Sequence, residues 1–407
     1  MKSILLMSTV KRTPRPANAG ASVGAPTALW AAALLLAGCA GGPSLNGPAP
    51  VEDRSAMPPA AAASAPAALP AAADIQRARA RWVAVDWSEL PGWQEDRLRE
   101  AWPALLRSCE RPAPAWAVTC AEARRAGVPA SEADARTWLQ SWLRPYRVEA
   151  LDGRSDGLIT GYHEPLVAAS KQPRGEFRVP LYAAPAELAA RKPWYTRQQI
   201  DTLPAAQAAL RGREIAWIAD PLDALVLQIQ GSGRLLYSEA DGSTRTTRLA
   251  FGGHNDQAYQ SIGRWLIDKG ELRADQASWP GIKSWAQRNP KRLQELLWAN
   301  PRYVFFKEEP LPDASIGPRG AQGVPLVPGR SIAVDPQSLP YGTPVWLDTT
   351  EPLSATPLRR LVLAQDTGSA ITGAVRADYF WGWGPEAEQA AGRMKQPLKL
   401  WALWPQR

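Results

Sequence analysis

Leu361-Val362-Leu363-Ala364-Gln365-Asp366-Thr367-Gly368, followed by Val375-Arg376-Ala377-Asp378-Tyr379-Phe380, is the stretch on which the reading of this chain turns. Each half is a short β-patterned run carrying an aspartate, and the bend Thr367 to Gly373 lies between them. Strand alternation sets Asp378 on one face with Arg376 and Phe380. A third run, Ser331-Ile332-Ala333-Val334, delivers Asp335 in front of Pro336. Around these lie Tyr303 to Lys307, Val345 to Asp348 and Leu398 to Leu403, also β-patterned, so the chain reads as β-rich from Pro301 to its end. Many short strands with turn chemistry between them indicate barrels. Carboxylates at converging strand ends, with no histidines or cysteines beside them to complete a metal site, suggest acid catalysis on a neutral polymer.

Upstream the pattern mixes. Glu95 to Leu106 has helical apolar spacing with a kink expected at Pro103, and Ser131 opens a capped helix with Ala135, Trp138, Leu139, Trp142 and Leu143 on one face. Leu158 to Tyr162 and Phe177 to Tyr182 read as strands. Ala224 to Gln230 reads as an apolar strand running into Gly231-Ser232-Gly233, with Arg234 to Ser238 as its hairpin partner. Helical spacing returns at Tyr259 to Ile267, stopped by Gly270, and from Lys283 to Trp298. No helix start follows Gly233, which excludes a dinucleotide or phosphate loop there.

The N-terminus addresses location. Lys11, Arg12 and Arg15 precede an apolar run of about nine residues, Ala28 to Leu36, closed by Leu36-Ala37-Gly38-Cys39. That run is short of the ~20 residues a spanning helix needs. The ending resembles the lipobox of bacterial lipoproteins, which implies a signal peptide over 1–38, a lipidated Cys39 and, with Ala40 rather than aspartate next, sorting to the periplasmic side of the outer membrane. Residues 39–73, mostly Ala and Pro, bury too little to fold and read as a tether. At ~3.1 Å per residue it reaches on the order of 100 Å.

Composition narrows the classes. The formal charge is +8, and losing Lys2, Lys11, Arg12 and Arg15 with the signal halves it. With no basic block or nucleic-acid motif, nucleic acid is not an expected partner. Cys109 and Cys120 are an even pair in an oxidising compartment, most simply a disulfide. The only histidines are His163 and His254, which argues against a catalytic thiol and a zinc site. No metal or organic cofactor is expected.

Further runs carry a family resemblance. Gly161-Tyr162-His163-Glu164-Pro165, Leu227-Gln228-Ile229-Gln230-Gly231-Ser232-Gly233, Tyr259-Gln260-Ser261-Ile262-Gly263, Asn300 to Phe306, Gly320 to Leu326, Pro328 to Pro336, Gln365 to Gly368 and Val375 to Asp378 resemble, in order, the blocks of the membrane-bound lytic transglycosylase A family. The resemblance covers nearly everything after the tether. It implies a mainly β protein with peripheral helices: a double-psi β-barrel over 74–163 and 305–407, a smaller β-barrel inserted at 164–304, and a substrate groove between them. It also implies an exo-acting lytic transglycosylase of peptidoglycan glycan strands, the outer membrane as its seat, and cell-wall synthesis proteins as further partners.

On this resemblance Asp378 is the acid. Asp366 is either a participating neighbour or a carboxylate bonded into its own turn, and Asp335 reads more as a turn residue than as catalytic support. Tyr162, Glu164, Gln228, Gln230, Ser232 and Arg376 are expected along the groove. Nineteen Trp against five Phe suits sugar faces, but Trp138 and Trp142 sit at core spacing, so Trp381 and Trp383 are the sugar-contact candidates. Two positions depart from the family pattern. His163 stands where a second tyrosine is usual, altering sugar contacts or adding pH sensitivity near neutrality, and Ser369 stands where glycine is usual, in a tight bend. Two other readings compete, a glycoside hydrolase with Asp366 or Glu164 as second carboxylate, and a wall-binding lipoprotein without catalysis.

Overall fold

The structure, a computed structural model, describes residues 73–239 and 241–406. The signal peptide, Cys39 and almost all of the tether lie outside the described residues. Fifteen strands are present there: β1 Ile75–Gln76, β2 Arg81–Ala84, β3 Leu143–Glu149, β4 Gly157–Glu164, β5 Leu166–Ala169, β6 Val179–Tyr182, β7 Glu214–Ile218, β8 Gly233–Ser238, β9 Thr244–His254, β10 Val304–Pro310, β11 Ser331–Val334, β12 Pro344–Thr350, β13 Pro357–Asp366, β14 Arg376–Trp383 and β15 Lys395–Pro405.

The first barrel closes because β15 is long enough to serve three neighbours. Its first residues pair with β4, its middle with β12 and its end with β3. The ring β4, β15, β12, β13, β11, β14 thus returns to β4, six strands without a free edge. Inward residues alternate: Ile332 and Val334, Val345 and Leu347, Val362 and Ala364, Ala377 and Tyr379 share one core. The other face of β12, β13 and β15 is buried as well. Trp346, Leu361, Leu363, Trp401 and Leu403 pack under the helices Trp102–Ser108, Ala117–Ala126 and Glu132–Trp142. Burial on both faces is why Leu361 to Ala364 is continuously apolar rather than alternating.

The helix opened by Ser131 forms as expected, its hydroxyl accepting from Asp134 N–H while Asp134 accepts from Ser131 N–H. It stops one residue earlier than its apolar face suggests, since Leu143 begins β3. Cys109 and Cys120 are joined by a disulfide, with Cα atoms 5.2 Å apart.

The second barrel is built from β10-β9-β8-β5 and the antiparallel pair β6-β7. Two single bridges, Ala183 to Phe306 and Ser170 to Trp217, join these sheets into a ring. Because β10 pairs with β9 along its whole length, residues 305–310 belong to this barrel, and the chain rejoins the first barrel later than the expected boundary at 305.

Ala224 to Gln230 is not a strand but the end of a helix, Pro221–Gln230. Asp220 caps it through Leu222 N–H at 2.8 Å, Pro221 occupies its first turn, and Gly231 ends it in the left-handed conformation. Ala224 and Leu227 face the barrel core while Leu222 and Leu225 face a helical cluster, so apolar residues run all round it. A helix buried on two sides loses its 3.6-residue stripe. The strand Arg234 to Ser238 pairs instead with β9 and β5.

Candidate active site

Strand register assembles the site. Ala333 of β11 is paired with Asp378 on one side and with Asp366 on the other, placing the two aspartates two strand spacings apart, roughly 10 Å between Cα atoms. On the far side of β14, Thr160 of β4 lies opposite Asp378 and Tyr162 opposite Phe380. Tyr162, Leu326, Ala333, Ile371 and Phe380 form the apolar wall beside the carboxylates.

Asp378 is half-buried. Thr160 Oγ1 donates to its Oδ1 at 2.5 Å, and Arg376 Nη2 donates to Thr160 Oγ1 at 2.9 Å. A guanidinium only donates, so Thr160 accepts from it and passes its own hydrogen to Oδ1, which leaves Oδ2 as the oxygen able to carry a carboxyl proton. Burial pushes the Asp378 carboxyl up to about 6, against the lowering effects of Thr160 and Arg376 and with a smaller push from the Asp366 charge.

Asp366 is held differently. Tyr162 Oη donates to its Oδ2 at 3.0 Å and Ala321 N–H to its Oδ1 at 2.9 Å, and the Thr367 amide adds a third bond. Burial still raises it above the ordinary aspartate range. It is tied into its turn, and its charge is also felt at Asp378.

The remaining residues separate into two groups. Arg376 is on the Asp378 face, and Gln228 lines a small cavity of about 30 Å³ with Tyr259, Asn300 and Arg302 of the second barrel and Ser369 of the bend. That cavity marks where the two barrels meet beside the site. Gln228 and Gln230 sit on the helix rather than on a strand. Gln228 accepts from buried Arg197, Gln230 accepts from His163 N–H, and Ser232 is half-buried in the turn that follows. A larger cavity of about 390 Å³, lined by Ala168, Arg174, Phe177 and Leu236, contains none of these residues.

Other expected residues are placed elsewhere. Asp335 is 4% exposed, pairs with Arg79 at 3.1 Å and accepts from Gln337 and Gly373 N–H, so it braces the bend instead of meeting substrate. Glu164 is fully buried, its oxygens taken by Arg234 at 2.7 Å and Arg248 at 3.0 Å, which removes it from the groove and from a second-carboxylate role. Trp381 falls on the core face of β14, its indole against Tyr379 and its Nε1 on Met394 Sδ. Trp383, shifted by the irregularity after Phe380, returns to the Asp378 face, with the Arg234 guanidinium 3.9 Å over its ring.

The two departures from the family pattern have little reach. His163 is buried behind the sheet and lowered to about 4 by burial and then by the Lys283 charge, so it stays neutral throughout the neutral range. Ser369 does not take the left-handed conformation; in that bend it belongs to Gly373, with φ 112°.

Thr160 and the Ala321 amide were missed by sequence reasoning. Thr160 lies two residues before Tyr162 in one strand, so period two already put it on the same face. The Ala321 amide comes from a distant turn and leaves no side-chain signal.

A closed barrel with a second, inserted barrel is the architecture that known proteins share with this chain. Residues 158–307 match the model described as MltA specific insert domain and residues 330–404 that of the 3D domain. The membrane-bound lytic murein transglycosylase A of Vibrio cholerae serotype O1 is 32% identical over 278 residues, covering 66% of this chain and 71% of that protein. Among solved structures, the lytic transglycosylase LtgG of Burkholderia pseudomallei is 47% identical with a TM-score of 0.56, covering 82% of this chain and 97% of that one. Escherichia coli MltA with bound chitohexaose is 28% identical, also at 0.56, covering 78% and 89%. The chain belongs to the membrane-bound lytic murein transglycosylase A family.

Proposed function

We propose that the protein cleaves the β-1,4 bond between N-acetylmuramic acid and N-acetylglucosamine in peptidoglycan and leaves a 1,6-anhydromuramic end. The observation that carries this is the setting of Asp378, a single carboxyl set against an apolar wall with Thr160 on Oδ1 and Oδ2 left for a proton, beside an Asp366 already engaged by three donors. Asp378 Oδ2 gives its proton to the leaving oxygen as the C1–O4 bond breaks. The carboxylate then takes the proton of the muramic C6 hydroxyl as O6 bonds to C1. The substrate supplies the nucleophile, one carboxyl serves both steps, and no water is consumed. The Asp366 charge favours the oxocarbenium-like state that develops beside it, Arg376 acts on Asp378 through Thr160, and the wall of Tyr162 and Phe380 keeps that region poor in water.

The substrate is a glycan strand lying between the two barrels, reached from the outer membrane through the Cys39 lipid and the 39–73 tether. Mass spectrometry of products from purified sacculi tests the reaction, because anhydro ends are one water lighter than reducing ends. Reducing ends alone indicate a hydrolase. Asp378→Asn is expected to abolish lysis while sacculus binding persists, and retained lysis removes the mechanism.

A further inference from the structure

Between the disulfide and the acid pair lies a continuous chain of amide contacts that the reaction does not itself require. Gln365, fully buried and immediately before Asp366, donates to Ala104 O at 2.9 Å and to Ser108 Oγ at 2.8 Å, and accepts from Ser331 Oγ. Gln322, immediately after Ala321, accepts from Ser108 Oγ at 3.2 Å and donates to Ser108 O at 3.1 Å, while its own N–H reaches Gln365 O. Both side chains therefore rest on the C-terminal end of the helix Trp102–Ser108. The next residue, Cys109, is bonded to Cys120 of a second helix.

The turn Gly320 to Gly323 is closed by Gly323 N–H on Gly320 O, and it presents Ala321 N–H to Asp366 Oδ1. It also has no slack. A Cβ on Gly320 would lie 2.5 Å from Gln365 O and 3.2 Å from Asp366 Cβ.

We propose that Gln322 is a positioning residue for the acid pair: seated on the disulfide-braced helix end, it holds the Ala321 amide on Asp366 and thereby sets the charge that Asp378 faces. The groups facing Asp366 are Tyr162 from β4, Asp378 from β14, Tyr341 from the turn before β12, and the Ala321 and Thr367 amides. Those facing Asp378 are Thr160, Arg376, Tyr162 and Asp366. An amide donor favours the charged carboxylate. Without it Asp366 keeps its proton to higher pH, Asp378 meets less negative charge, and Asp378 gives up its own proton at lower pH.

This rests on the catalytic reading of Asp378, and the test separates the two. Sacculus lysis by the full chain is followed across the acid-to-neutral range for wild type, Gln322→Ala, the double variant Cys109→Ala with Cys120→Ala, and Asp378→Asn. Expected is an alkaline limb whose midpoint moves down by about half a pH unit in Gln322→Ala, and in the same direction in the cysteine pair. A uniform loss of rate with the midpoint in place overturns the positioning role. If Asp378→Asn retains lysis, the catalytic reading fails instead. Should Gln322→Ala not fold, Ser108→Ala, which removes the hydroxyl shared by both glutamines, carries the same expectation and the same refutation.

Discussion

On the proposed mechanism Asp378 is neutral before the sugar bond breaks and charged afterwards, and its surroundings pull both ways. Burial favours the neutral form, while Thr160 and Arg376 favour the charged one. As a general acid it works in its protonated state, so the cleavage rate is expected to fall as pH rises through about 6, measured as the alkaline limb of the rate profile. Thr160→Val removes a donor that favours the carboxylate. That limb should move to higher pH while the maximal rate drops about tenfold, since a hydrogen bond to a charged group is worth roughly 1.5 to 3 kcal/mol. The same burial bears on stability. A carboxyl raised in the fold from 3.8 weakens it progressively as pH climbs from about 4 to about 6, and leaves it unaffected below that window. Asp378→Asn should therefore unfold at higher temperature than wild type at pH 7, by no more than about 3 kcal/mol, with the gain vanishing in acid. Much of this site was legible in the sequence, because Arg376, Asp378 and Phe380 share a strand face by alternation and Tyr162 shares another with Thr160. Trp381 and Glu164 were not. An irregularity after Phe380 decides which indole turns outward, and only tertiary structure brings two arginines onto one glutamate.

At the scale of elements, the legible parts were those with one buried face or a local stop signal. The strands of the first barrel and the Ser131 cap are of this kind. Residues 221–230 were not, because burial between a barrel and a helical cluster erased the period, although Asp220, Pro221 and Gly231 were the signs of a helix start and end. The short β1 and β2, and β7 in the second barrel, gave too few residues for any period to show. The pairing of β4 with β14 depends on a close approach at its first residue. A Cβ on Gly157 would lie 1.7 Å from Val375 O, whose carbonyl accepts from Leu158 N–H. Gly157→Ala should thus cost about 3 kcal/mol by denaturant midpoint, near the upper end for forced overpacking. Gly153 offers the contrast, since its left-handed backbone has open space around the missing side chain. Gly153→Ala should cost only about 1 to 2 kcal/mol, the strain of the conformation itself.

Across the whole molecule, the two barrels are fastened by charge as well as by chain. Glu164 ends β4 of the first barrel, yet its partners Arg234 and Arg248 stand on β8 and β9 of the second. The same guanidiniums reach Ala314 O and Ile316 O in the connection leading back to β11, and Arg234 covers Trp383 of β14. One carboxylate therefore joins both barrels and their linker at a point sealed from water, where neither arginine has solvent to fall back on. Such a cluster need not add net stability over an apolar packing, but breaking it from one side leaves buried charge without compensation, typically 3 to 5 kcal/mol. Glu164→Gln keeps the shape and removes the charge, so its unfolding midpoint should drop by that amount in urea. Sacculus lysis should fall too, at temperatures where the variant remains folded, because the cleft exists only while the second barrel is held against the face carrying Asp378. A variant that loses stability yet cleaves at the wild-type rate would show that the barrels keep their relation without this cluster, leaving packing around Gln228 and Ser369 to do so.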